Sequence, residues 1–128
     1  MSNSNIQLAR RWFEEVWNQR RVETIDELLT PESIGHLESG DVRGVDEFKA
    51  KHAEVITTFP DLRVSIDAIV ADGDNVVVRW TATANHSGDG AGVDATQSNL
   101  CIRGMTWQNY RDGKLIEGWD NWGQVAMN

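Results

Sequence analysis

The sequence predicts an α+β domain in which three N-terminal helices close a curved, largely antiparallel sheet into a cone around a pocket. Three observations carry that reading. Apolar residues recur at helical three-and-four spacing up to Phe59, the period switches to two after Pro60, and Asp112-Gly113 joins two long alternating segments as a hairpin turn. Helices followed by a run of long strands indicate helices packed against one face of a sheet.

The first helix is predicted over residues 5–18, where Ile6, Ala9, Phe13, Val16 and Trp17 form one apolar stripe and Arg10, Arg11, Glu14 and Glu15 face water. A short second helix follows from Val22 to Leu29 and ends at Thr30-Pro31. Residues 32–43, with His36, read as an irregular loop. A third helix after Gly44 carries Val45, Phe48, His52, Val55, Ile56 and Phe59, and Pro60 stops it. Leu62, Val64, Ile66, Ala68 and Val70 then alternate with mostly polar neighbours, as do Val76, Val78, Trp80, Ala82 and Ala84 beyond the Asp72-Gly-Asp-Asn turn. A Gly-rich loop spans residues 87–99. Two long strands complete the chain, Leu100 to Arg111 and Lys114 to about Gly123.

Composition bounds the function. The 128 residues fit one domain, 1–128, and carry 20 acidic against 12 basic side chains for a formal net charge of −8, which argues against nucleic acid or anionic membrane as partners. One cysteine, Cys101, allows neither an internal disulfide nor a multi-cysteine metal site. With no secretory-type N-terminus and no apolar stretch long enough to span a bilayer, a cytoplasmic location is expected. Six tryptophans in so short a chain suggest a cavity for a flat or apolar ligand, with core filling and a subunit interface as the plainer use.

Counting outward from a two-residue turn pairs Asn109 with Ile116, Trp107 with Gly118, Met105 with Asp120 and Arg103 with Trp122 on one side of the final hairpin. That side holds the greater apolar bulk and is assigned to the interior. Asp120 then lies among Met105, Trp107 and Trp122. A carboxylate removed from water costs several kcal/mol unless paired, so the position has two readings: an ion pair with the diagonal neighbour Arg103, or a desolvated acid–base group of raised pKa. His86 continues the phase of Trp80 and could reach a ligand or simply bond at the strand end; His52 lies on an apolar stripe and suits the core; His36 is in a loop. Their spacing matches no zinc motif, no metal is expected, and no phosphate loop, dinucleotide fingerprint or nucleophile elbow is present.

Taken together, Phe13-Glu-Glu-Val-Trp-Asn18, the His36 loop before Gly44, Phe59-Pro-Asp-Leu-Arg63, Val76-Val-Val-Arg-Trp80, His86-Ser-Gly88 and Asp112-Gly-Lys-Leu-Ile-Glu-Gly-Trp-Asp120 make the sequence similar to the SnoaL-like polyketide cyclases, within the nuclear transport factor 2-like and ketosteroid isomerase-like fold. The resemblance implies a cone-shaped barrel with a deep pocket, a homodimer or higher oligomer through the sheet, and intramolecular aldol ring closure without metal or organic cofactor. It implies that Asp120 is the acid/base and that His36 and His86 are pocket residues, with Trp80 part of the wall. The chain departs from the family pattern at Gly92-Val-Asp-Ala-Thr-Gln-Ser98 and at Gly118, where relatives often have His.

The expected site therefore has Asp120, His86 and His36 as its chemistry. Trp80, Arg103, Met105, Trp107, Trp122, His52 and the helix residues Phe13, Trp17, Phe48 and Phe59 would surround an aromatic or polyketide-like ligand. Asn121 falls on the opposite face and needs a local twist to take part. Cyclisation, cofactor-independent hydroxylation, epoxide hydrolysis and plain ligand binding are the functional alternatives on such a pocket.

Overall fold

The first helix begins as an ordinary α-helix, α1 (Ser2–Arg11), and runs directly into a π-helical segment (Trp12–Asn18) in the computed structural model, which describes residues 2–84 and 100–125. The segment ends on wide turns, Gln19 N–H to Glu14 O at 2.9 Å and Arg21 N–H to Glu15 O at 2.8 Å. Trp12 is buried with Phe13 and Val16 and stands three residues after Ala9 and four before Val16, on the same apolar stripe. Helix α2 (Val22–Leu28) buries Thr24, Ile25 and Leu28. Arg11 and Arg21 each pair with Glu15 and Glu27 and so tie α2 to the first helix.

The predicted loop at 32–43 is instead a hairpin, β1 (Leu29–Leu37) and β2 (Gly40–Arg43), and it precedes helix α3 (Gly44–Thr58). Pro31 and Gly35 hide it in the sequence. Pro31 is tolerated because the pairing of β1 with its neighbour is interrupted between Leu29 and Ile34. Strands β3 (Arg63–Asp72), β4 (Asn75–Ala84), β5 (Leu100–Arg111) and β6 (Lys114–Val125) complete a six-stranded sheet in the order β2-β1-β6-β5-β4-β3. Among the described residues only β1 and β6 run parallel, and every other pair is antiparallel. No helix among the described residues is long and apolar enough to cross a membrane.

Two β-bulges decide which side chains face inward. On β3 the register shifts between Ile66 and Ala68, so Ile69 and Ala71 turn toward the helices and Val70, expected inside, is 63 % exposed. On the last hairpin Asp112 and Gly113 both have positive φ, as a type I′ turn requires, and Arg111 does oppose Lys114. Ile116 is then extra: Tyr110 pairs with Leu115 but Asn109 pairs with Glu117. Past that point the partners differ by one residue from simple counting. Thr106 faces Asp120, Gln108 faces Gly118 and Gly104 faces Trp122.

The helices cover the inner face of the sheet in two apolar clusters. One gathers Trp12, Phe13, Val16, Ile25, Leu28 and Phe48 on Val76, Val78, Tyr110 and Leu115; the other joins Phe59 and Leu62 to Ala82, Ala84, Leu100 and Ile102. Trp17, Val64 and Trp80 pack against both. Asn18 secures the free edge of the sheet. Its amide donates to Val64 O at 2.9 Å and accepts from Val64 N–H at 2.7 Å, as a neighbouring strand would. Truncation strands two partly buried backbone groups. Asn18→Ala is therefore expected to lower unfolding free energy by about 2–4 kcal/mol, read as a shift in urea midpoint at unchanged slope.

Candidate active site

A cavity of about 530 Å³ lies between the helices and the inner face of the sheet, a size that suits a small organic ligand. Its walls are mostly apolar: Trp12, Phe13, Trp17, Phe48, Val55 and Phe59 from the helices, and Trp80, Ala82, Ile102, Leu115 and Trp122 from the strands. Ser33, Thr106, Gln108 and Asp120 are the polar groups from the sheet, while Glu38, Lys51 and Glu54 also line it. Lys51 is paired with Glu54 at 3.2 Å.

Asp120 is half-buried by area, and it lines the cavity. Thr106, directly across the ladder, donates to Asp120 Oδ1 at 2.6 Å, and the indole N–H of Trp80 donates to Thr106 Oγ1 at 2.9 Å. An indole nitrogen can only donate, so it fixes the direction of the chain: Thr106 accepts from Trp80 and commits its own proton to the carboxylate. Among the described residues, no other side chain donates to Asp120. Burial raises the pKa of Asp120, the Thr106 hydrogen bond opposes that, and the negative charge of Glu38 adds to the rise. Desolvation is the largest of the three effects.

Gly104 makes this arrangement possible. A Cβ there would lie 2.5 Å from Trp80 Cζ2 and 2.8 Å from both Trp122 Cβ and Asn121 O. Any side chain would push the indole away from Thr106.

Of the predicted residues, Asp120, Trp80, Trp122, Phe13, Trp17, Phe48 and Phe59 line the cavity. Arg103, Met105 and Trp107 do not. The bulge at Ile116 puts them on the outer face, with Met105 57 % and Trp107 50 % exposed, and the Asp120–Arg103 ion pair, one of the two readings of the acid, does not form. Asn121 is also outside the lining and exposed, but its amide donates to Glu38 Oε2 at 2.8 Å and so steadies a residue at the cavity wall.

His36 is likewise not a cavity group: its ring stacks on Trp119 with centroids 5.4 Å apart and bridges Asp41 at 2.9 Å and Glu117 at 2.7 Å. Those carboxylates raise its pKa, the Glu117 hydrogen bond most. His52 is a core residue whose Nε2–H donates to Val16 O at 2.7 Å, and burial lowers its pKa. His86 lies outside the described residues.

Thr106 and Gln108 are polar residues of the cavity wall that the sequence reading missed. The signal was present in β5 itself, because they share the phase of Leu100, Ile102 and Tyr110, all buried. Trp12 was missed although it stands three residues after Ala9 and four before Val16, the ordinary spacing of a helix face. Among the described residues, no group of three or more His, Cys, Asp or Glu side chains is placed to hold a metal ion.

A mixed sheet closed by helices over a cavity with one desolvated acid defines a nuclear transport factor 2-like domain. The chain belongs to the SnoaL-like polyketide cyclase family, which it matches over residues 7–128. Among solved structures it is similar to a candidate SnoaL-like polyketide cyclase from Jannaschia sp. CCS1, at 26 % identity, covering 95 % of this chain and 87 % of that one, with a TM-score of 0.86. It is also similar to IdmH, a candidate polyketide cyclase from Streptomyces antibioticus, at 25 % identity, 92 % and 91 % coverage and a TM-score of 0.80. AclR, a candidate hydroxylase from Streptomyces galilaeus, shares the fold at 24 % identity, 96 % and 91 % coverage and a TM-score of 0.81. No curated protein sequence matches the chain.

The Asp120 environment makes a prediction about pH. A carboxyl whose folded pKa is raised binds its proton more tightly folded than unfolded, so stability falls as pH rises from the free value near 3.9 through the folded pKa. At pH 7 the ionised group opposes folding. Asp120→Asn should therefore raise the melting temperature at pH 7, with the gain vanishing below about pH 3.5. Thr106→Val should move the Asp120 titration, followed by carboxyl carbon NMR, to still higher pH. A carboxyl titrating at or below about 3.9 in the unsubstituted protein would contradict this account.

Proposed function

We propose that the protein is a cyclase-like catalyst that closes a ring in a polyketide-like, ketone-bearing molecule by an intramolecular aldol reaction, with Asp120 as the acid/base. The single observation that carries this reading is a desolvated carboxylate, held by one hydroxyl, on the wall of a mostly apolar cavity. Asp120 takes a proton from the carbon next to a carbonyl. The resulting enolate attacks a second carbonyl of the same molecule, and the protonated Asp120 returns its proton to the new alkoxide. Burial raises the basicity of the carboxylate toward what carbon acids need, and the aromatic walls exclude water from the enolate. Trp80, Trp122, Trp17 and Phe48 offer flat surfaces to a ring system. Both steps are proton transfer and carbon–carbon bond formation, so neither calls for a metal or organic cofactor.

Membership of a family of polyketide cyclases supports the substrate class. Hydroxylation and epoxide hydrolysis would use the same carboxylate, but no feature of this cavity favours them. Plain binding rested on an ion pair between Asp120 and Arg103, and Arg103 faces solvent on the other side of the sheet. On a polyketide chain that wild type cyclises, Asp120→Asn should lower kcat by about 10²-fold or more with little change in KM. Full turnover by that variant would remove the mechanism.

We also propose that the protein self-associates through the outer face of the sheet. Met105, Trp107 and Trp119 are exposed there, Trp119 by 41 %, and Val70 projects at 63 %. Large apolar side chains gathered on one sheet face are unfavourable in water and are the usual core of a homodimer interface. Replacing both Trp107 and Trp119 by Glu should convert a dimer to a monomer in sedimentation velocity while leaving the circular dichroism spectrum unchanged. A wild-type protein that is monomeric at micromolar concentration would overturn this.

A further inference from the structure

Gln108 is the most deeply buried polar side chain on the cavity wall, at 1 % exposure. Its amide oxygen accepts from the hydroxyl of Tyr110 at 2.9 Å, and Tyr110 is itself completely buried. Burial raises the Tyr110 pKa, so that hydroxyl stays protonated and needs an acceptor. Turning the amide over would leave the Tyr110 proton, the Gln108 oxygen and one N–H all without partners. The observed orientation leaves the amide N–H groups as the orphans, which is the smaller penalty. No described residue accepts from Gln108 Nε2.

A buried amide NH2 without an acceptor costs about 1–3 kcal/mol, so its presence on a cavity wall calls for an acceptor supplied from elsewhere. The surroundings keep that place open. Gly118 is the residue opposite Gln108, and a Cβ there would meet only Trp107 O at 3.6 Å and Gln108 Cγ at 4.0 Å, so the glycine leaves room over the amide without being forced by crowding. One rung further along the same face, Thr106 holds Asp120. Two residues along a strand span about 7 Å, which suits a base at a carbon and a donor at the oxygen of the adjoining carbonyl.

We infer that Gln108 is a second catalytic residue, its Nε2–H donating to the substrate carbonyl that becomes the enolate oxygen when Asp120 removes the neighbouring proton. This rests on the acid–base reading of Asp120. As the C–H bond breaks, its electron pair forms the carbon–carbon π bond, the carbonyl π pair moves to oxygen, and the proton goes to Asp120. The negative charge develops where the amide donors point. Such a donor, fixed in place by Tyr110 and shielded from water, acts as an oxyanion hole for the enolate.

The test uses 2-tetralone, a flat aromatic ketone with acidic hydrogens beside its carbonyl, and 2-naphthol as a mimic of its enolate. Wild-type protein in D2O should accelerate exchange of the 2-tetralone α-hydrogens, and Asp120→Asn should abolish the acceleration. Gln108→Leu combined with Tyr110→Phe, which leaves no orphaned hydroxyl, should reduce it by about 10²-fold. Tyr110→Phe alone keeps the donor but frees its orientation and should have a smaller effect. In wild-type protein the Gln108 side-chain amide protons should move downfield on addition of 2-naphthol, a readout that needs no variant to fold. If Asp120→Asn abolishes exchange while the Gln108 double variant retains the wild-type rate, the Gln108 role is wrong and the acid–base reading stands. If Asp120→Asn exchanges as fast as wild type, both fail. Absence of a Gln108 amide shift with 2-naphthol overturns the Gln108 role whatever the rates.

Discussion

The register of the β5–β6 hairpin is the constraint from which the rest of the site follows. A side chain on a strand faces one side or the other with period two, so one extra residue transfers everything beyond it to the opposite face. Ile116 is that residue. With it, Thr106 stands across from Asp120 and the two share a proton bond inside the cavity. Without it, the exposed pair Met105 and Trp107 would fill the same space and Asp120 would have no hydroxyl to hold it. The bulge therefore sets the chemistry of the cavity as much as the identity of the acid does.

The polar groups deepest in the cavity wall are oriented by one another. Trp80 aims the Thr106 proton, Thr106 aims Asp120, Tyr110 aims Gln108, and Asn121 anchors Glu38. Hydrogen-bond chains of this kind lose less entropy when a ligand arrives, because their side chains are already ordered. Gly104 and Gly118 serve the same end by what they omit. One lets the two tryptophans close over the sheet; the other keeps the space above Gln108 open.

Much of this was legible before any coordinates. Helix periodicity up to Phe59, the switch at Pro60, the alternation through Val76 and Ala84 and the Asp112-Gly113 turn are local signals, and local signals survive folding. Asp120 was correctly placed inside, though for a reason that was half wrong: the face of β6 was right and the face of β5 was inverted, because a bulge is a tertiary compromise with no reliable sequence mark. The hairpin of β1 and β2 was missed because Pro31 and Gly35 read as loop punctuation, and the strand is held by pairing with residues some eighty positions away. The histidines drew attention as chemical groups. Two of them turn out to be structural, one stacked outside and one bonded to a helix carbonyl.

His36, clasped between Asp41 and Glu117, joins β1 to both of its neighbours through one titrating ring. Because its folded pKa is raised, that tie is complete below about pH 6.5 and loosens as pH climbs through the folded value. Asp120 acts in the same direction at lower pH, whereas Glu15, whose pKa is lowered, contributes above about 4.5 and loses that contribution as pH falls through its folded value. His52, whose pKa burial lowers, pulls the other way and favours the fold as pH rises toward about 6.5, so the clasped imidazole at the sheet and the buried one in the core oppose each other on either side of that value.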